Sequence, residues 1–163
     1  MATIATTDIC DDHGDEARVL DDIFPISLGK RTSFHGEVRT LKTFEDNTKV
    51  RESVETDGQG RVLVVDGGGS RRCALFGGNL AVLAAKNNWA GIVIYGCARD
   101  GDEIDAEDIG LKAIGHCPRK SVKQNFGTYD VPVTFAGQTI NSGDYIYADR
   151  DGVVVSTSPL HKG

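Results

Sequence analysis

Two apolar runs break the mixed pattern of the chain, Arg61–Asp66 (RVLVVD) and Gly91–Tyr95 (GIVIY). A strand with one solvated face alternates apolar and polar positions; an unbroken run belongs to a strand covered on both faces, as in a parallel sheet. Between the runs, Gly67–Ser70 (GGGS) marks a sharp turn, and the Ala- and Leu-rich stretch Leu80–Asn88 predicts a helix ending at Asn87-Asn88. Strand, loop, helix and strand within about thirty residues define a βαβ unit with a right-handed crossover.

The flanking segments are shorter and more polar. Near the start, Thr7 is a candidate cap for a helical stretch whose apolar positions end before Pro25. Phe34 to Phe44 favours a strand, and Asn47 reads as the N-cap of a surface helix with Val50 and Val54 on one face and Gly58 closing it. Leu111–Cys117 fits a further strand, with a helix as the alternative. Two hairpins follow: Val131–Phe135 and Gln138–Ile140 around Ala136-Gly137, then Tyr145–Ala148 and Val153–Ser156 around Asp149–Gly152. The expected architecture is a single α/β domain over residues 1–163, with a parallel βαβ core and antiparallel additions.

Composition narrows the function. The chain has 163 residues with 18 Lys+Arg against 24 Asp+Glu, a net charge of −6, which argues against direct nucleic acid binding. No apolar stretch approaches the ~20 residues of a membrane span, and the Thr-rich, acidic N-terminus does not read as a signal peptide, so a cytoplasmic protein without membrane contact is expected. Cys10, Cys73, Cys97 and Cys117 form no C-x-x-C pair and read as reduced thiols. The 20 glycines point to tight turns and backbone-lined sites.

Ligands of open α/β units gather beyond the carboxyl ends of the parallel strands. Two loops lie there, Asp66–Asn79 with Arg71 and Arg72, and Gly96–Glu103. Neither a phosphate loop nor a dinucleotide fingerprint fits: Gly78 is followed by Asn79-Leu80, and Arg72 stands where a last glycine belongs. Gly77-Gly78-Asn79-Leu80 opens a helix, so its free amides either hold an anion such as a carboxylate or simply permit a turn. Arg99 offers a planar fork for carboxylates. Asp100 and Glu103, three residues apart, converge on one hard cation if a helical turn starts there; otherwise they form a solvated acidic turn. His13, His35, His116 and His161 lack zinc spacing, and His116 beside Cys117 is a poor nucleophile pair because adjacent side chains diverge. Trp89 reads as a plug between helix and strand. Lys112, Arg119, Lys120 and Lys123 read as a solvated basic cluster or a docking patch.

Gly78, twenty intervening residues and Arg99-Asp100-x-x-Glu103 make up the pattern G-x20-R-D-x-x-E/D. With Asp8–Asp11 (DICD), Phe44–Asn47 (FEDN), Gly60–Ser70 and Asn88–Asp100, it resembles the regulator of ribonuclease activity A family and the related class II 4-hydroxy-4-methyl-2-oxoglutarate aldolases. The resemblance implies a three-layer β/β/α swivelling-domain fold in a homotrimer or dimer of trimers. It also implies a lyase that releases pyruvate from such 2-oxo acids and decarboxylates oxaloacetate. Gly77, Gly78, Asn79 and Leu80 would hold the substrate carboxylate, and Arg99 a pyruvate oxygen. Asp100 would bind Mg²⁺ or Mn²⁺ directly, Glu103 through water, and the cation would act as Lewis acid. The competing role implied by the same resemblance is a regulator that binds and inhibits an endoribonuclease of the ribonuclease E type.

Overall fold

Strand alternation divides the core in two. The computed structural model describes residues 3–162. In chain order it contains α1 (Thr6–His13), a 3-10 turn (Gly14–Glu16), β1 (Arg18–Val19), β2 (Ile26–Leu28), β3 (Phe34–Lys42), α2 (Thr48–Val54), β4 (Val62–Asp66), β5 (Ala74–Phe76) and α3 (Gly78–Lys86). It continues with β6 (Gly91–Ala98), α4 (Gly101–Asp105), β7 (Gly110–His116), β8 (Thr128–Tyr129), β9 (Val133–Phe135), β10 (Gln138–Ile140), β11 (Tyr145–Asp149) and β12 (Gly152–Ser156). The main sheet runs β1-β12-β11-β3-β4-β6-β7-β2, with β5 added to β6 and β8 to β3; β9 and β10 pair separately. Strands β3, β4, β6 and β7 are parallel neighbours, whereas β11 joins β3, and β2 joins β7, antiparallel.

On one face of the parallel strands, Leu63, Val65, Ile92, Ile94, Leu111 and Ala113 pack against the helical layer through Val50, Leu80 and Ile104. On the other, Val62, Val64, Val93 and Ile114 meet Val133, Phe135, Ile146 and Val155 of the second β layer. All five residues of β4 are buried, as its unbroken apolar run requires. Helix α1 and Leu160 cover the outer side of β11 and β12 through Ile9, Tyr147 and Val154. These layers constitute the expected β/β/α arrangement. Among the described residues no helix is long and apolar enough to cross a membrane.

Local details depart from the sequence reading. Thr7 does not cap α1, which starts at Thr6, whose amide and hydroxyl bind the Asp149 carboxylate at 2.8 and 2.7 Å. Asn47 occupies the cap position of α2 without a side-chain cap bond; the Asp46 carboxylate takes the Thr48 amide at 2.9 Å instead. That helix ends at Val54, before Gly58, which is needed for another reason: a Cβ there would lie 2.6 Å from the Trp89 ring. Trp89 is the expected plug, buried with its indole N–H donating to the Thr56 carbonyl at 3.0 Å. Helix α3 begins two positions before Leu80, and β6 continues past Tyr95 to Ala98. Strand β5 lies inside what reads as one loop, too short to show a period. Residues 110–116 form a strand rather than a helix. The β9–β10 turn has Ala136 and Gly137 both at positive φ, 50° and 77°, the geometry of a two-residue hairpin. The last hairpin is tighter than expected, with Asp149 already paired to Gly152. All four cysteines are free; Cys73 and Cys97 are buried.

Lys112 leaves the surface cluster assigned to it. It sits on β7 opposite Val93, on the face shared with Ile114, and is only 5% exposed. Burial lowers its pKa below the usual lysine range, and attraction by Asp149 and Asp22 offsets this only in part. The unfolded chain therefore binds this proton more tightly than the folded one, so the penalty is full at neutral pH and is relieved as pH rises towards the unfolded lysine value. Lys112→Met is expected to stabilise the fold by about 1–2 kcal/mol, or roughly 3–6 °C in Tm at pH 7, with the gain shrinking at pH 10. Thermal melts at both pH values check this.

Candidate active site

The cleft opens where β5 and β6 end and α3 and α4 begin. The Arg99 amide donates to the Phe76 carbonyl at 2.9 Å, which ties the end of β6 to β5, and its Nη1 donates to the Pro118 carbonyl at 3.3 Å. Asp100 follows in the left-handed region, φ 58° and ψ 46°, a conformation that costs a non-glycine residue on the order of 1–3 kcal/mol. That backbone turns its carboxylate back onto α3, where Oδ2 accepts the Gly78 amide at 3.0 Å. A short helical turn, α4, then presents Glu103 one turn on.

Both carboxylates press on the Gly77-Gly78 pair. A Cβ on Gly77 would lie 2.8 Å from Asp100 Oδ2, and one on Gly78 would lie 2.9 Å from the Cβ and Cδ of Glu103. The glycines therefore let a helix start pass beneath two acids. The sequence reading treats the amides of Gly77, Gly78, Asn79 and Leu80 alike, whereas Gly78 donates to Asp100. The amides of Asn79 and Leu80 have no acceptor among the described residues and face the cleft at the positive end of α3.

The opposite wall is cationic. Arg51 and Asn47 of the α2 region, with Lys120 and Lys123 of the segment between β7 and β8, line the same cavity of about 90 Å³ as Arg99 and Asp100. Sequence reasoning gave Asn47 a capping role, left Arg51 on a solvated helix face and read Lys120 and Lys123 as solvated surface or a docking patch, because residues 117–127 have no periodicity and Arg51 looks like an ordinary helix-surface charge. The one available signal is Lys120 and Lys123 beside Arg119 in an otherwise acidic chain.

Asp46 joins the two parts of this wall. It is 2% exposed, and its Oδ1 accepts the Thr48 amide at 2.9 Å and hydroxyl at 2.6 Å, while Oδ2 accepts the amides of Gln124 and Phe126 at 2.8 and 2.9 Å. Burial pushes its pKa up, but the Thr48 hydroxyl and the amides of Thr48, Phe126 and Gln124 outweigh this and bring it to about 2. Ser121, also buried, accepts the Asn47 amide at 3.1 Å and donates to Asn47 Oδ1 at 3.0 Å.

Other candidates lie elsewhere. Arg71 donates to the Ile114 carbonyl at 3.1 Å, and Arg72 binds Glu45 at 2.6 Å, holding that carboxyl below its usual pKa together with Ser70. The glycines after β4 make room for rings: a Cβ on Gly68 or Gly69 would lie 2.7 Å from Phe44 or 2.8 Å from Tyr95. Burial raises the pKa of Cys73 and Cys97, which suits inert thiols. His116 approaches Gly101, whereas His35 stacks on Tyr147 and His161 meets the same ring edge-on in the outer layer.

A three-layer α/β domain with a cleft at a helix start, lined by an Arg-Asp turn with a second acid against the same glycine pair, defines the class. The chain belongs to the RraA-like family, whose Aldolase/RraA model matches residues 6–155. Among its relatives, a protein of Alkalilimnicola ehrlichii named "Putative 4-hydroxy-4-methyl-2-oxoglutarate aldolase" is 56% identical over 158 residues, 97% of this chain and 98% of that one. A protein of the same name from Pseudomonas putida is 51% identical over 98% of each chain. Two solved structures superpose closely. One, described as an S-adenosylmethionine:2-dimethylmenaquinone methyltransferase of Geobacillus kaustophilus, has a TM-score of 0.94 at 47% identity over 98% of this chain and 100% of that one. The other, the RNA-processing inhibitor RraA of Thermus thermophilus, has a TM-score of 0.93 at 42% identity over 99% and 97%.

The double-glycine constraint is testable. Gly78→Ala is expected to swing the Glu103 carboxylate into solvent without unfolding the chain. Calorimetric titration with oxalate in the presence of Mg²⁺ should show affinity reduced at least tenfold, with Tm within a few degrees of the parent.

Proposed function

We propose that this chain is a divalent-metal-dependent lyase that cleaves 4-hydroxy-4-methyl-2-oxoglutarate-type 2-oxo acids to pyruvate and decarboxylates oxaloacetate. The observation that carries this reading is the Gly77-Gly78 pair wedged under Asp100 and Glu103, which puts two hard oxygen donors beside unpaired helix amides and Arg99. Among the described residues no three His, Cys, Asp or Glu side chains gather, so the donor set suits Mg²⁺ or Mn²⁺, which take most of their ligands from water and substrate. When bound there, held by Asp100 and through water by Glu103, the cation supplies Lewis-acid polarisation of the 2-keto group.

The chain's own groups account for the rest. The amides of Asn79 and Leu80 hold the C1 carboxylate at the positive end of α3. Arg99 reaches the 2-keto oxygen, and its fixed charge stabilises the enolate oxygen as the C3–C4 bond breaks. Lys120, Lys123 and Arg51 face the far end of a substrate seated this way, where the second carboxylate of oxaloacetate or of a 4-hydroxy-2-oxo diacid lies. Their attraction favours diacids over monoacids. The C4 hydroxyl of a 4-hydroxy acid gives its proton to solvent as that carbon becomes a carbonyl, or C4 of oxaloacetate leaves as CO₂, and a proton taken from solvent by the enolate carbon completes pyruvate. A homotrimer is part of the proposal: Phe44, Val122 and Phe126 are 45%, 69% and 55% exposed on the side of the basic segment, which supports self-association there.

A second reading has one observation in its favour, the close superposition on the RNA-processing inhibitor of Thermus thermophilus. The net charge of −6 would suit docking on a basic region of an endoribonuclease.

Purified protein with oxaloacetate and Mg²⁺ is expected to release pyruvate. Asp100→Asn should abolish the Mg²⁺-stimulated rate, and Arg99→Lys should lower turnover about a hundred- to a thousandfold although it keeps the charge. Inhibition of a ribonuclease, if present, should survive Arg99→Lys, since that side chain lies inside the cleft. Undiminished turnover in either variant would overturn the assignment.

A further inference from the structure

We infer that Asp46 is a positioning residue: its buried carboxylate fixes the cationic wall of the cleft and so sets the preference for substrates with a second carboxylate. The inference rests on the lyase reading and adds to it a residue outside the cleft lining.

One carboxylate serves both halves of the wall. Oδ1 holds the start of α2, through the amide and hydroxyl of Thr48, and that helix carries Arg51. Oδ2 holds the segment that carries Lys120 and Lys123, through the amides of Gln124 and Phe126. Between those amides Asn125 sits at φ 57°, a left-handed residue that lets both N–H groups converge on one oxygen. The same segment has little else to fix it, since it lacks regular structure from 121 to 127. Its other ties are the Pro118 carbonyl, which accepts Arg99 Nη1 at 3.3 Å, the Arg119 carbonyl, which accepts the Ala74 amide at 2.7 Å, the paired bonds between Ser121 and Asn47, and the Phe126 carbonyl, which accepts the Thr43 hydroxyl at 2.9 Å; of these only the Ser121 pair lies between Lys120 and Lys123.

The chemistry requires a carboxylate. Four donors converge on Asp46, and an ionised carboxylate is an acceptor on both oxygens, whereas an amide would turn its own N–H₂ towards one pair of donors. With a pKa of about 2, Asp46 is ionised across the physiological range, so the clasp stays closed. Arg99 and the amides of Asn79 and Leu80 lie on the other side of the cleft and have no bond to Asp46. Loosening the clasp therefore separates the two ends of the substrate: the distal carboxylate loses its cations while the pyruvate end keeps its contacts.

The test compares Asp46→Asn and Ser121→Ala with the parent, with Mg²⁺ present, in two reactions. Oxaloacetate decarboxylation uses a substrate with both carboxylates; exchange of the pyruvate methyl protons in D₂O, followed by NMR, uses only the pyruvate end. Both variants are expected to raise KM for oxaloacetate at least tenfold with kcat within about threefold, and to leave the pyruvate exchange rate within about twofold. Ser121→Ala keeps the buried charge, so it reports on the segment even if Asp46→Asn fails to fold. Equal losses in both reactions, as a merely structural defect would give, or no loss in either, would overturn the inference. Trypsin reads the clasp without activity, because cleavage after Arg119, Lys120 and Lys123 should accelerate at least fivefold in both variants. A parent inert in both reactions would refute the lyase reading and, with it, the substrate preference assigned to Asp46; unchanged trypsin cleavage would refute the clasp itself.

Discussion

Burial of β4 and β6 on both faces is the constraint from which the rest follows. A strand covered by helices on one side and a second β layer on the other has no room for charged chemistry along its length, so polar function moves to the strand ends. There β6 reaches Arg99 and Asp100 directly after the apolar run, and the short β5 delivers Gly77 and Gly78 beside them. The Arg99 amide on the Phe76 carbonyl locks these two chain ends together. Arg99 and Gly77-Gly78 leave rigid paired strands, and Asp100 adopts a left-handed backbone that aims its carboxylate at them.

The charge pattern follows the same logic. An acidic chain would repel anionic substrates, yet this cleft gathers Arg51, Arg99, Lys120 and Lys123 around a helix start. Cations this close repel one another, so each needs a fixed scaffold. The wall opposite Arg99 relies on buried hydrogen bonds from Asp46 and Ser121, whereas Arg99 relies on the sheet and the Pro118 carbonyl. Asp100 and Glu103 supply the negative counterpart beside the Gly77-Gly78 pair, where the proposed lyase would hold its divalent cation.

Much of this was legible in the sequence, for identifiable reasons. The central βαβ unit showed because Arg61–Asp66 and Gly91–Tyr95 carry no alternation, and the hairpins showed through their turn residues. Arg99, Asp100 and Glu103 were singled out by their spacing after Gly78, and the fold brings both acids against the glycine pair. Strand β5 was not, since three residues carry no period. The cationic wall was hidden because its residues lie far apart in the chain and are joined by Asp46 and by the Ser121–Asn47 bonds, which depend on the folded approach of residues 46–47 to 121–126. Lys112 was misread because a lone lysine in a strand looks like surface until the second β layer closes over it.

The central claim is that the glycine-paired acids hold a divalent cation next to the anion-binding start of α3. It is tested most directly by diffraction from crystals soaked with Mn²⁺ and oxalate, using the anomalous signal of manganese. The account predicts an anomalous peak at about 2 Å from an Asp100 carboxylate oxygen. It also predicts a water between that peak and Glu103, and oxalate between the Arg99 guanidinium and the amides of Asn79 and Leu80. A cleft that binds oxalate with no manganese at Asp100, or manganese held at another cluster of acids, would contradict it.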